Sequence, residues 1–133
     1  MTTRLRLVRA QRLLKVQEQM RGLAERDLAA NRAQAAKVEA DRAAMLATLA
    51  GETMHGLFLD AAARRLRALA AEATELSATS TRLSEILTAR GLAEKRAERQ
   101  AEGLLKLRDR EREQHAMLEQ LDLLVARGAS PSD

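Results

Sequence analysis

The chain contains no cysteine, no tryptophan and no tyrosine; Phe58 is its one aromatic residue and Pro131 its one proline. Each absence excludes something. Without cysteine there is no disulfide framework and no thiolate chemistry, a usage that fits a reducing cytosol. Without aromatics the chain cannot build the thick core of an ordinary globular domain, where rings supply much of the buried area. A thin seam of Ala and Leu is the alternative. The apolar runs are a few residues long, far short of the roughly 20 needed to span a bilayer. The N-terminal residues have no apolar core of the kind a secretory signal carries. They are Arg-rich and lack acids up to Glu18, like a transit peptide, but the helical pattern runs on without a cleavage-like break.

What is present is narrow in kind. Of 133 residues, enough for one domain, 46% are hydrophobic, mostly Ala and Leu, and 32% are charged. That mixture at helical spacing marks a coiled coil or long helix. The net charge is +4 and the sequence pI about 10.3. Both signs are plentiful and mixed, so they read mainly as a solvated helix surface. The small basic excess suits an acidic partner surface. Nucleic acid is disfavoured as a partner, because no basic block is interleaved with aromatics.

The first helix is expected over residues 3–50, which hold no proline and one glycine, Gly22. Apolar residues recur at Leu13, Val16, Met20 and Leu23, then step by one residue to Ala24, Leu28, Asn31, Ala35, Val38, Arg42, Met45 and Leu49. Alternating steps of three and four mark one helical stripe. The step at Leu23 reads as a register insertion. Asn31 and Arg42 occupy core-type positions: they either leave the seam imperfect or set its register and face a partner.

Gly51-Glu-Thr-Met-His-Gly56 interrupts the pattern and is expected to be the turn. Gly51 suits a helix end in the left-handed conformation. Thr53 could cap the next helix, although no acidic residue three positions later completes a capping box. His55 reads as a polar turn residue rather than a ligand or base. Met54, Leu57, Phe58 and Leu59 either cap the end of the coiled coil or form an exposed, partner-binding tip.

The second helix is expected over 57–127. Its stripe runs Leu59, Ala62, Leu66, Leu69, Ala73, Leu76, Ser80 and Leu83, then Ile86, Arg90, Ala93, Ala97, Gln100, Leu104, Leu107, Glu111, Gln114, Leu118, Leu121 and Val125. Asp60 with Arg64 and Glu102 with Lys106 are acid-before-base pairs at i,i+4. The Ser/Thr-rich stretch from Thr74 to Ser84 competes with the helical backbone, and a break near Ser77–Thr81 would give three helices. Gly128 and Pro131 end the pattern, leaving 128–133 as a frayed tail. The fold expected is therefore all-α: a long antiparallel two-helix coiled-coil hairpin, a single domain, with the second helix longer. At 1.5 Å per residue the helices measure roughly 70 and 105 Å, so the second overhangs by about 20 residues. That overhang carries Met117, Leu118, Leu121, Leu123, Leu124 and Val125, and an exposed apolar patch marks an interaction site or self-association.

Catalytic and cofactor motifs are missing. The six glycines fall in neither GxxxxGK[ST] nor GxGxxG, so no phosphate loop is expected. His55 and His115 stand far apart without HExxH spacing, so no metal site is expected. The carboxylates sit among Arg and Lys on helix surfaces. The sequence therefore predicts neither an enzyme nor a small-molecule or cofactor site.

Four stretches carry a family resemblance: Leu13-Leu14-Lys15-Val16-Gln17-Glu18, the Gly51–Gly56 turn with Leu57-Phe58-Leu59, Ala93-Glu94-Lys95-Arg96-Ala97-Glu98-Arg99-Gln100, and Leu104-Leu105-Lys106-Leu107-Arg108-Asp109-Arg110-Glu111. With them the chain resembles, over nearly its whole length, the flagellar FliJ family and its type III secretion counterpart, the YscO family. It departs from them in lacking further aromatics after the turn. The resemblance implies a cytoplasmic component of an export apparatus, peripheral at the inner membrane and similar to the central stalk of a rotary ATPase. One end would sit in the hexameric export ATPase, the other would approach the export gate, and export chaperones would be further partners. Arg4, Arg6, Arg9, Arg12 and Lys15 fall at the terminal end of the hairpin, as do Lys95, Arg96, Arg99, Lys106, Arg108, Arg110 and Arg112. Of these, Arg4, Arg6, Arg9, Arg12, Lys15, Lys106, Arg108 and Arg110, with Leu118, Leu121 and Val125, are the candidate partner-binding residues, a basic end suited to an acidic lumen. The alternative is a structural coiled coil that acts by homo-oligomerisation.

Overall fold

The computed structural model describes residues 2–51 and 56–129, of Ala129 the backbone alone. Two helices account for them: α1, Thr3–Gly51, of 49 residues, and α2, Gly56–Ala129, of 74. They pack against each other antiparallel as a hairpin, the second helix the longer. No helix among the described residues is long and apolar enough to cross a membrane.

The helix ends differ from expectation at the glycines. Gly51 closes α1, Gly56 opens α2 and Gly128 lies inside α2. None has a positive φ, so neither Gly51 nor Gly128 makes the left-handed stop that would have ended its helix one residue earlier. Thr53, Met54 and His55, and the tail beyond Ala129, lie outside the described residues. At the other end of α1, Thr2 is the cap: its hydroxyl accepts from the Leu5 amide at 3.3 Å and its carbonyl from the Arg6 amide at 3.1 Å. The hydroxyl thereby satisfies one of the four amides that a helix start leaves without partners, and the carbonyl accepts the first bond within the helix.

Contacts gather into two compact units, one of residues 1–18 with 92–133 and one of 19–91. In the first, Leu7, Ala10, Ala101 and Leu104 form a buried cluster with Leu14 packed on it. The Thr3 hydroxyl donates to Glu111 Oε1 at 2.8 Å. The seam there runs through Thr3, Leu7, Ala10, Leu14 and Gln17 on α1, and through Glu94, Ala97, Ala101, Leu104 and Arg108 on α2. In the second unit it runs through Arg21, Ala24, Leu28, Asn31, Ala35, Val38, Arg42, Met45 and Leu49, and through Ala62, Leu66, Leu69, Ala73, Leu76, Ser80, Leu83, Leu87 and Arg90.

Every step in these four runs is three or four, in strict alternation. The register insertion expected at Leu23 is therefore absent. Leu13, Val16 and Leu23 are exposed, at 44%, 48% and 56%, and the seam positions beside them are Leu14, Gln17 and Arg21. Polar side chains disguise the seam in the sequence, where an apolar flank stands in for it. On α2 the same exchange occurs beyond Leu83: Ile86, Gln100 and Leu107 lie exposed, while Leu87, Glu94, Ala101 and Arg108 take the seam positions. Leu59, expected at the seam, is also exposed. It stands in the first turn of α2 beside Leu57 and Phe58, likewise exposed, so these three form an uncovered tip rather than a cap on the packed seam.

No break occurs at 77–81. The Thr74, Thr81 and Thr88 hydroxyls each donate to the carbonyl four residues back, at 3.0, 3.2 and 3.0 Å. Thr74 and Thr81, which could compete with the backbone in this stretch, thus spend their hydroxyls inside the helix. The acid-before-base pair Asp60–Arg64 takes another form: Arg64 Nε donates to the Asp60 main-chain carbonyl at 3.4 Å.

Candidate functional site

Most candidate residues gather in the first unit. α1 enters it with Arg4, Arg6 and Arg9 and with no acidic residue in its first turn. These cations lie at the positive end of the helix dipole, which opposes them. Helix stability therefore gives no reason for their placement. Arg4, Arg6, Arg9, Arg12 and Lys15 are all exposed, and their charge is available to a partner.

Two open hollows show which candidates the fold brings together. One, of about 300 Å³, is lined by Thr2, Thr3, Arg4, Arg108, Glu111, Arg112 and His115. Arg108, Arg112 and His115 follow at four and three residues, so one face of α2 carries them all. The Thr3 bond to Glu111 fixes that carboxylate at the hollow, so the pocket is basic with one acid held to its side. The other, of about 210 Å³, is lined by Arg6, Arg9, Ala10, Leu13, Gln100 and Leu104. Arg12, Lys15, Lys106 and Arg110 line neither hollow and project separately from the helix surfaces. Arg112, which lines the first, was seen in the sequence only as part of the basic end.

Every side chain from Asp109 to Gly128 is exposed. Leu118, Leu121 and Val125 are 60%, 49% and 69% exposed. Their spacing of three and four puts them on one face, flanked by Met117 and Leu124, with Leu123 on the opposite side. Glu113, Glu119 and Asp122 are interspersed, and the His115 imidazole lies 3.2 Å from Glu119. This stretch offers an apolar face between charges of both signs.

The second unit offers two further hollows. One, of about 190 Å³, is lined by Met20, Leu23, Ala24, Asp27, Leu83, Ile86 and Arg90, and Arg90 Nη1 reaches Met20 Sδ at 3.8 Å. The other, of about 600 Å³ and wide open, is lined by Arg42 and the small side chains Ala70, Ala73, Thr74, Ser77, Ala78 and Thr81. Among the described residues no group of three or more His, Asp or Glu could hold a metal ion. What these surfaces present is charge and exposed apolar area.

Signals missed in the sequence were the polar seam positions. Gln17 and Arg21 interrupt an otherwise apolar run, so a hydrophobicity count drifts to Leu13, Val16 and Leu23. The signal that could have recovered them is the unbroken heptad through Leu7, Ala10, Leu14, Ala24 and Leu28. No protein-family model, curated protein or solved structure matches the chain.

Proposed function

We propose that this protein is a non-enzymatic coiled-coil component of a flagellar or type III export apparatus. It works in the cytoplasm, peripheral at the inner membrane, as a stalk-like adaptor between a hexameric export ATPase and the export gate, and it also binds export chaperones. The family resemblance supplies the choice of partners. One observation supports the choice of docking end: α2 presents Leu118, Leu121 and Val125 uncovered, in the unit that also holds the Arg4–Arg108 hollow. An apolar face of this kind marks an interaction site, and the basic residues beside it favour an acidic partner surface.

Capture of the export ATPase on the immobilised chain tests the proposal. Changing Arg4, Arg6 and Arg9 together to Glu is expected to weaken capture at least tenfold, most strongly at low salt. Unchanged capture would remove the basic end from the interface, and no capture by the unaltered chain would remove the adaptor reading. The second reading is self-association, favoured by the exposed flank Leu13, Val16 and Leu23. Sedimentation over a wide concentration range separates the two: a monomer supports the adaptor, a tight dimer or tetramer the structural coiled coil.

A further inference from the structure

The seam of the second unit scarcely distinguishes one axial alignment from the next. Asn31 stands opposite Ser80. Counting from there in threes and fours puts Ala35 across from Leu76 and Val38 across from Ala73. Sliding α2 by one heptad puts Leu69 across from Ala35 and Leu66 across from Val38. Ala35 still meets a leucine and Val38 still meets an apolar side chain, so apolar character alone does not exclude the slid alignment.

Asn31 does distinguish them. Its amide donates to the Leu76 carbonyl at 2.9 Å and to Ser80 Oγ at 2.6 Å. One heptad in either direction would set it against Ala73 or Leu87 and remove the Ser80 hydroxyl. The carbonyl of Leu69 or Leu83 would stand where that of Leu76 does now, but no hydroxyl would replace that of Ser80; a part-buried amide one acceptor short is penalised, whereas an Ala or Leu at the seam is not. Arg42, another polar seam residue, is different. Its side chain is 43% exposed and its guanidinium reaches along its own helix to Glu39 at 3.7 Å, a contact that sliding leaves intact.

We propose that Asn31 and Ser80 form a register lock, which holds α1 and α2 of this unit at one axial alignment. With it the pair transmits a push or a twist as a strut; without it the helices exchange alignments one heptad apart.

The absence of cysteine makes the test direct. Ala35→Cys with Leu76→Cys reports the observed alignment, and Ala35→Cys with Leu69→Cys reports the slid one. With Asn31 in place, the second pair should oxidise about a fifth as fast as the first. With Asn31→Leu it should rise about fivefold. If it stays at its original level while the variant keeps its helical circular dichroism and a cooperative melt, the lock is overturned. Ser80→Ala is the milder variant, removing one acceptor and keeping the other. Should Asn31→Leu lose its helices, Ser80→Ala decides: a rise of about threefold or more supports the lock, and none overturns it.

Discussion

At the scale of single residues, the seam is one side chain thick and each position can be weighed separately. Leu7 is buried at 2% exposure among Ala10, Ala101 and Leu104. Leu7→Ala should cost about 2–3 kcal/mol, the lower part of the range for buried leucines, because small neighbours leave room to collapse. Urea denaturation of the purified variant measures it. Gln17 presents the opposite case. Its Oε1 is buried with no hydrogen-bond partner, which costs free energy that an apolar side chain would not. Gln17→Leu should therefore stabilise the chain by about 1 kcal/mol, seen as a melting temperature a few degrees higher. Position 17 was not legible as seam in the sequence because its side chain is polar, and only its place in the heptad betrays it. Asn31 was legible, because its flanks Leu28, Ala35 and Val38 are apolar and hold the phase on both sides. Its partners on α2 lay beyond the sequence, since register across a hairpin depends on the turn and on every layer together.

At the scale of elements, both helices were legible from composition and the near absence of proline, and the end of each fell within a residue or two of expectation. The glycines misled only where they were taken as stops. Gly91 and Gly103 lie inside α2 with nothing within 4 Å of where a Cβ would stand. Gly103→Ala should therefore stabilise by roughly 1 kcal/mol, the full difference in helix propensity, since no clash offsets it. Thermal melts of the two single alanine variants check this, and a loss of stability would mean that a glycine serves some contact outside the chain. Phase was less legible than existence. Beyond Leu83 an apolar flank of Ile86, Ala93 and Leu107 runs one residue from the true seam of Leu87, Glu94 and Arg108, and hydrophobicity favours the flank. Charged residues can hold seam positions because Arg and Glu bury their stems and keep their heads at the surface.

At the scale of the whole molecule, packing and the proposed recognition fall to different residues. Leu118, Leu121 and Val125 touch no seam partner, so replacing all three by Gln should change stability by less than about 0.5 kcal/mol per site. If the proposed adaptor role holds, the replacement should nevertheless abolish capture of the export ATPase. Circular dichroism melts and a pull-down on the same preparation separate the two effects. A large loss of stability would instead show that this face is covered in solution by a second copy. The stretch as a whole was legible as an overhang from helix lengths alone. The pairing of Arg4 with Arg108 around Glu111 was not, because it needs the register. A seam this thin also lets each layer touch only its neighbours, so opening should be local and graded, as in linear arrays. Amide hydrogen exchange should be fastest over residues 116–128 and slowest around Leu69 and Val38, the most buried side chains of the second unit.

The back-bonded threonines have a mechanical corollary. Thr74, Thr81 and Thr88 are seven residues apart, so they lie along nearly one line of α2. A hydroxyl bonded to the carbonyl four residues back opens its turn slightly and tilts the axis. Tilts at random phases would cancel, but these three point the same way and add. The stretch whose composition suggests a break should instead give α2 a preferred plane of bending, like a bow already strung on one side.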